Sequence, residues 1–148
     1  MLKKLLSADG LWQDNGLAVI RIATGLMMAY HGLEVFHRSM MEEYMKWDVV
    51  QVLPFPELMV YLGKGTEFVS GALLALGLFG RLASLAMALN MLFVCFRIGG
   101  GRFYNEDQHP FLFAVLALIF FFAGPGKWSL DRWRTAKQAG HQENGKMK

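Results

Sequence analysis

The chain is short of cysteine. One of its 148 residues, Cys95, carries a thiol. No disulfide can form within the chain, and no cysteine cluster exists to hold zinc or an iron–sulfur centre. Cys95 sits in an apolar run and reads as a small buried hydrophobe. There is no nucleotide-binding loop either, so nothing here carries electrons unaided. Charge is also sparse: 18% of residues, gathered at the two ends and in two loops. The stretch "PFLFAVLALIFFFA", Pro110 to Ala123, has no polar residue at all. A soluble helical bundle needs a polar face on every helix, so that class is excluded. The opening "MLKKLLSADGLW" lacks a long apolar core and is not expected to be a cleavable signal peptide.

What is present is apolar. Hydrophobic residues make up 54% of the chain, and the length suits one domain. The net charge of +3 comes from basic residues beside apolar runs. That pattern fits membrane topology, and no nucleic-acid partner is expected.

Four apolar segments stand out, at residues 16–36, 58–79, 81–98 and 110–123. A bilayer is crossed by about 20 residues of helix. The fold expected is all-α, an integral membrane four-helix bundle over residues 16–134. The fourth segment is short and is expected to begin in the loop before it. Gly80 is expected at a tight turn between spans two and three. "HRSMMEEYMKWDVVQVLPFPE" mixes Met41, Tyr44, Met45 and Trp47 with charges, which predicts a short amphipathic helix on the membrane surface. Residues 1–15 are expected as an interfacial segment, with Lys3 and Lys4 toward headgroups and Leu2, Leu5 and Leu6 dipping in. Residues 135–148 are expected as a flexible polar tail. Lysine and arginine in the flanks count seven against four in favour of both termini in the cytoplasm. Trp128 and Trp133 then join the cytoplasmic aromatic belt.

Several polar residues lie inside these spans. Helix rise places Lys64 about 9 Å and Glu67 about 13 Å into span two. Lys64 and Glu67 are three apart and can pair on one helix. Asn90 and Arg97 are seven apart and are expected to share a face. His31 and Glu34 stand toward the outer end of span one. Snorkelling is the simpler account of Arg21 and Arg97, and His109 reads most simply as a loop residue. Glu67 lies too deep for such an account. Intramembrane charges are expensive and mark interior sites. The candidate pocket therefore comprises His31, Glu34, Lys64, Glu67, Asn90 and Arg97, with Glu67 at its floor. Small residues are expected to pack the helices closely: Gly25, Ala29 and Gly32 on span one, and Gly63, Thr66, Ser70 and Gly77 on span two.

The order of motifs resembles the DoxX family of small bacterial four-helix membrane proteins, from about Asn15 to Arg134. The resemblance rests on Arg21, Gly25 and the "HGL" that includes Gly32. It continues through "EFVSGALLALGLFGR" with Glu67, Gly71, Gly77 and Arg81. It closes on "GPGKWSLD", with Gly124, Pro125, Gly126, Ser129 and Asp131. One departure is visible: family members often carry a lysine shortly after the "HG" pair, where this chain has Glu34 and Val35. The resemblance implies the bacterial inner membrane and a kinship with membrane subunits of a quinone-linked oxidoreductase. A quinone is then the cofactor to consider, with a soluble or membrane partner supplying the redox centre. Two other readings stand beside it. One is a non-catalytic membrane scaffold. The other is a small-solute or proton pathway, which four spans would serve only as a homo-oligomer. Haem held between His31 and His109 is disfavoured, and no metal site is expected.

Overall fold

A computed structural model describes residues 12–124 and 126–146, with side chains as far as residue 138. The expected interfacial segment, residues 1–15, falls mostly outside the described residues, as does Pro125. Among the described residues every regular element is helical. The seven helices are α1 (Gln13–Gly32), α2 (Arg38–Met45), α3 (Asp48–Gln51), α4 (Pro56–Leu76), α5 (Gly80–Phe93), α6 (Gln108–Ala123) and α7 (Leu130–Lys146). A 3-10 turn at Leu33–Phe36 extends α1, and a π turn at Val94–Ile98 extends α5.

Among the described residues two helical stretches are long and apolar enough to cross a membrane, Gln13–Phe36 and Gly80–Ile98. Helix α6 is apolar but shorter. It starts two residues before Pro110, in the preceding loop as its shortness required. Helix α4 has the length, at 21 residues, but Lys64 and Glu67 dilute its hydropathy.

Helix α1 packs along α4, α4 on α5, and α5 on α6. The core between them is built from Met28, Leu74, Met87, Met91, Phe113 and Phe120, with small residues Ala83, Ala88, Ala114 and Ala117 admitting close approach. The outward faces are also apolar: Leu26, Leu62, Leu82 and Phe122 are each more than half exposed. Four helices each turning bulky apolar side chains outward make an extended apolar surface, which marks contact with lipid or a partner.

The α1–α4 contact is closest at Gly25, Gly32 and Gly71. A Cβ on Gly25 would run into the backbone of Ala75, one on Gly71 into the backbone of Ala29, and one on Gly32 into the backbone of Phe68. The face of α4 that meets α1 is therefore Phe68, Gly71 and Ala75. The expected face of Gly63, Thr66, Ser70 and Gly77 is not the one used there. Periodicity gives the angle between residues, but not which side meets a neighbour.

Helix α4 ends at Gly77, whose φ of +64° suits a glycine cap. The chain turns through Phe79, and α5 already begins at Gly80, so the turn lies earlier than the expected Gly80. The connection between α1 and α4 is two short helices. They bury Met41, Val50 and Leu53 against the body while Arg38 and Glu42 stay exposed. Their apolar face is thus spent on the protein and not on a lipid surface alone. Beyond residue 134, helix α7 continues to Lys146, where a loose tail was expected.

Candidate functional site

The end of the molecule away from residues 13 and 130 is called distal here. Helices α1, α4 and α6 and the short helix α2 all bring polar side chains to it. Lys64 and Glu67 lie on adjacent turns of α4, with Nζ 3.0 Å from Oε2. Glu34, on the turn after α1, reaches the same ammonium from the other side at 2.7 Å. The Tyr44 hydroxyl on α2 donates to Glu34 Oε2 at 2.6 Å. Lys64 Nζ stands 5.1 Å from the centre of the Tyr44 ring. The side chains of Lys64, Glu34 and Glu67 are 18%, 23% and 7% exposed, so solvent screens them little. Burial, and the bond to Glu34, push the Tyr44 phenol above its ordinary value.

The charges in this group do not cancel. Two carboxylates share one ammonium. An excess negative charge in a poorly solvated place is costly. The group is therefore suited to hold a proton, or to accept hydrogen bonds from a ligand. An ammonium has three N–H donors, and the two carboxylates leave one for something else.

Lys64 and Glu67 border a cleft of about 360 Å³ between α4, α5 and the α2–α3 connection. Asn90 lies on its α5 side and donates to the Gly63 carbonyl at 3.2 Å. Trp47 and Phe93 supply aromatic walls.

His31 and His109 lie next to the cluster but do not line the cleft. Their rings meet edge to face with centres 5.3 Å apart, and His109 also packs on Phe113. Such direct ring contact leaves no room for a porphyrin between them. His109 belongs to the first turn of α6 and close to Glu67, which corrects its reading as a loop residue. Arg97 is exposed and absent from the cleft lining. The π turn at Val94–Ile98 adds residues to the helical turn and rotates Arg97 away from the Asn90 face. Among the described residues no group of three metal-ligating side chains comes together.

A second polar constellation lies at the opposite end. Arg21 does not snorkel: it is 1% exposed and donates through Nη2 to the Trp128 carbonyl at 2.9 Å. Asp131 is its electrostatic neighbour. The Asp131 carboxylate accepts from Phe79 N–H at 2.9 Å and Gly80 N–H at 2.8 Å, capping the start of α5 from another helix. Its own N–H donates to the Gly77 carbonyl at 3.0 Å. Ser129 accepts from Arg132 N–H at 3.2 Å and so caps α7. Gly124 and Gly126, both at positive φ, turn the chain into this clasp. Arg81 approaches it through its guanidinium near Gly124.

The profile of the DoxX family matches residues 16–99. The chain belongs to the DoxX family. Curated proteins and solved structures give no match. The match spans α1 through the π turn, including Arg21, Gly25, Gly32, Gly71, Gly77 and Arg81. The "GPGKWSLD" segment, Gly124 to Asp131, lies beyond it. Family and apolar helices together mark this DoxX chain as a membrane protein. Its motif residues divide by role in the structure. Gly25, Gly32 and Gly71 set the α1–α4 contact. Arg21, Gly77, Ser129 and Asp131 build the clasp. Glu67 alone of the quoted motif residues sits in the distal cluster. Tyr44 was missed as a site residue in the sequence reading. Its signal was the three-residue spacing from Met41, which puts both on the inward face of α2.

Proposed function

We propose that the chain is a four-span protein of the bacterial inner membrane, with α1, α4, α5 and α6 crossing and both termini in the cytoplasm. It serves as the membrane subunit of a quinone-linked redox assembly. The distal cleft receives the quinone head, and a partner protein supplies the electrons. The observation that carries this reading is the Glu34–Lys64–Glu67 triangle, withdrawn from solvent at the edge of an apolar cleft.

The residues fit such a head. Lys64 has a further N–H for a ring carbonyl oxygen, and Asn90 lines the same cleft beside Gly63. Trp47 and Phe93 can sandwich a flat ring. A bound quinone supplies an acceptor for two electrons and two protons. The chain's own share is to hold and pass protons. Glu67 and Glu34 offer the carboxylates, and His109 and His31 lead from Glu67 along the distal end. Lysine and arginine counts in the flanks support the orientation, and the exposed apolar belt supports four crossings.

Native mass spectrometry of the protein, gently extracted from its own membrane, tests the reading. A retained quinone or a bound soluble oxidoreductase supports it. A homo-oligomer carrying phospholipid alone overturns it and returns the chain to the scaffold or solute-pathway readings.

A further inference from the structure

The distal cleft does not end at Glu67. A second groove, of about 500 Å³, runs along the same α4–α5 seam toward the Gly77 turn. Cleft and groove share Leu62 and Thr66, so the two hollows adjoin in one track along the seam. The groove is walled by Leu62, Thr66, Val69 and Leu73 of α4 and by Leu82 and Ala86 of α5. From Leu62 to Leu73 the helix rises about 16 Å. Small residues keep the seam open. A Cβ on Gly65 would meet nothing within 4 Å, and Ala86 is exposed.

The track changes character along its length. At one end it meets the Lys64 ammonium, the Glu67 carboxylate and the Asn90 amide. Along the rest it is apolar and faces outward, with Val69 53% and Leu82 68% exposed. We propose that the α4–α5 seam holds a single amphiphile end to end, with a neutral hydrogen-bonding head in the cleft and an unbranched or prenyl tail in the groove. The inference rests on the cleft being a ligand site, as argued above, and adds the tail seat and the charge of the head. The charge follows from the cluster. Lys64, the cation in the cleft lining, is already engaged by Glu34 and Glu67, so an anionic phosphate head finds no uncompensated positive charge there, while a neutral carbonyl or hydroxyl head needs none. This separates the seam from a groove that takes any phospholipid.

The test uses the full-length protein in nanodiscs of neutral lipid. The probes are a benzoquinone with a decyl tail and the same ring without it. Binding is read by quenching of tryptophan fluorescence, with Trp47 at the cleft as reporter. The tail is expected to raise affinity by at least about ten-fold in the wild type. Ala86→Phe and Gly65→Leu fill the groove at open positions. In both, the tailed probe should fall to the affinity of the bare ring, and the bare ring should bind unchanged. If both variants keep wild-type affinity for the tailed probe, the tail seat is overturned and the head site stands. If neither probe binds the wild type, the cleft reading falls and the tail seat with it. If phosphatidylglycerol displaces the tailed probe, the neutral-head assignment is overturned.

Discussion

Lys64→Met is the most informative single change at the distal site. It removes the ammonium that Glu34 approaches at 2.7 Å and Glu67 at 3.0 Å and replaces it with an apolar chain of similar length. Two carboxylates then face each other with little solvent between them. Breaking a buried ion pair by deleting one partner costs on the order of 3–5 kcal/mol. Glu67, at 7% side-chain exposure, bears most of that cost. Glu34 is more exposed and keeps the Tyr44 hydroxyl, so the total should fall near the lower bound, about 3 kcal/mol. Adding Glu67→Gln to Lys64→Met removes the stranded charge. The double variant should regain about 2 kcal/mol relative to the sum of the single changes, a coupling of the size seen for contacting charges. The assay is unfolding of the purified protein in mixed micelles by titration with sodium dodecyl sulfate, run on all four members of the cycle. The reasoning is refuted if Lys64→Met stays within about 0.5 kcal/mol of wild type. It is equally refuted if the two single effects simply add.

Three further outcomes follow from the geometry. Asp131→Ala orphans the N–H groups of Phe79 and Gly80 and should cost on the order of 3 kcal/mol, with Asp131→Asn losing about half because one acceptor oxygen remains; equal stability of all three proteins in the same titration would contradict the clasp. Gly71→Ala puts a Cβ into the Ala29 backbone and should destabilise by roughly 1–3 kcal/mol, whereas Gly65→Ala, with open space around it, should not; thermal unfolding followed by size-exclusion chromatography separates the two. Burial and the Glu34 bond raise the Tyr44 phenol above its unfolded value, so its stabilising contribution is whole below pH of about 10 and is lost as pH rises through the higher folded value. Tyr44→Phe should accordingly flatten the alkaline limb of the stability profile, and an unchanged limb would remove Tyr44 from the network.

The sequence was most legible where neighbours along one helix decide the outcome. Lys64 and Glu67 are three apart, and helical geometry alone brings them together. The apolar runs located α1, α4, α5 and α6 to within a few residues. Contacts between distant segments were less legible. That Glu34 meets Lys64 depends on the α1–α4 crossing, which periodicity cannot orient. Tyr44 joins them only because α2 folds back over α4. Arg97 left the expected face because a π turn, silent in the residue pattern, intervenes. Arg21 looked like a snorkelling residue since its carbonyl partner at Trp128 is 107 positions away.

The clasp at Asp131 also bears on the order in which the molecule is made. The first turn of α5 is capped by a carboxylate that follows it by more than fifty residues, and the Trp128 carbonyl that accepts from Arg21 Nη2 is made later still than α6. Helix α5 therefore leaves the ribosome before the carboxylate that caps it has been made. Only the arrival of residues 128–131 closes the junction of α1, α4 and α5 at that end. A chain cut short after α6 would hold α1, α4, α5 and α6 and still leave the Phe79 and Gly80 N–H groups without the Asp131 carboxylate.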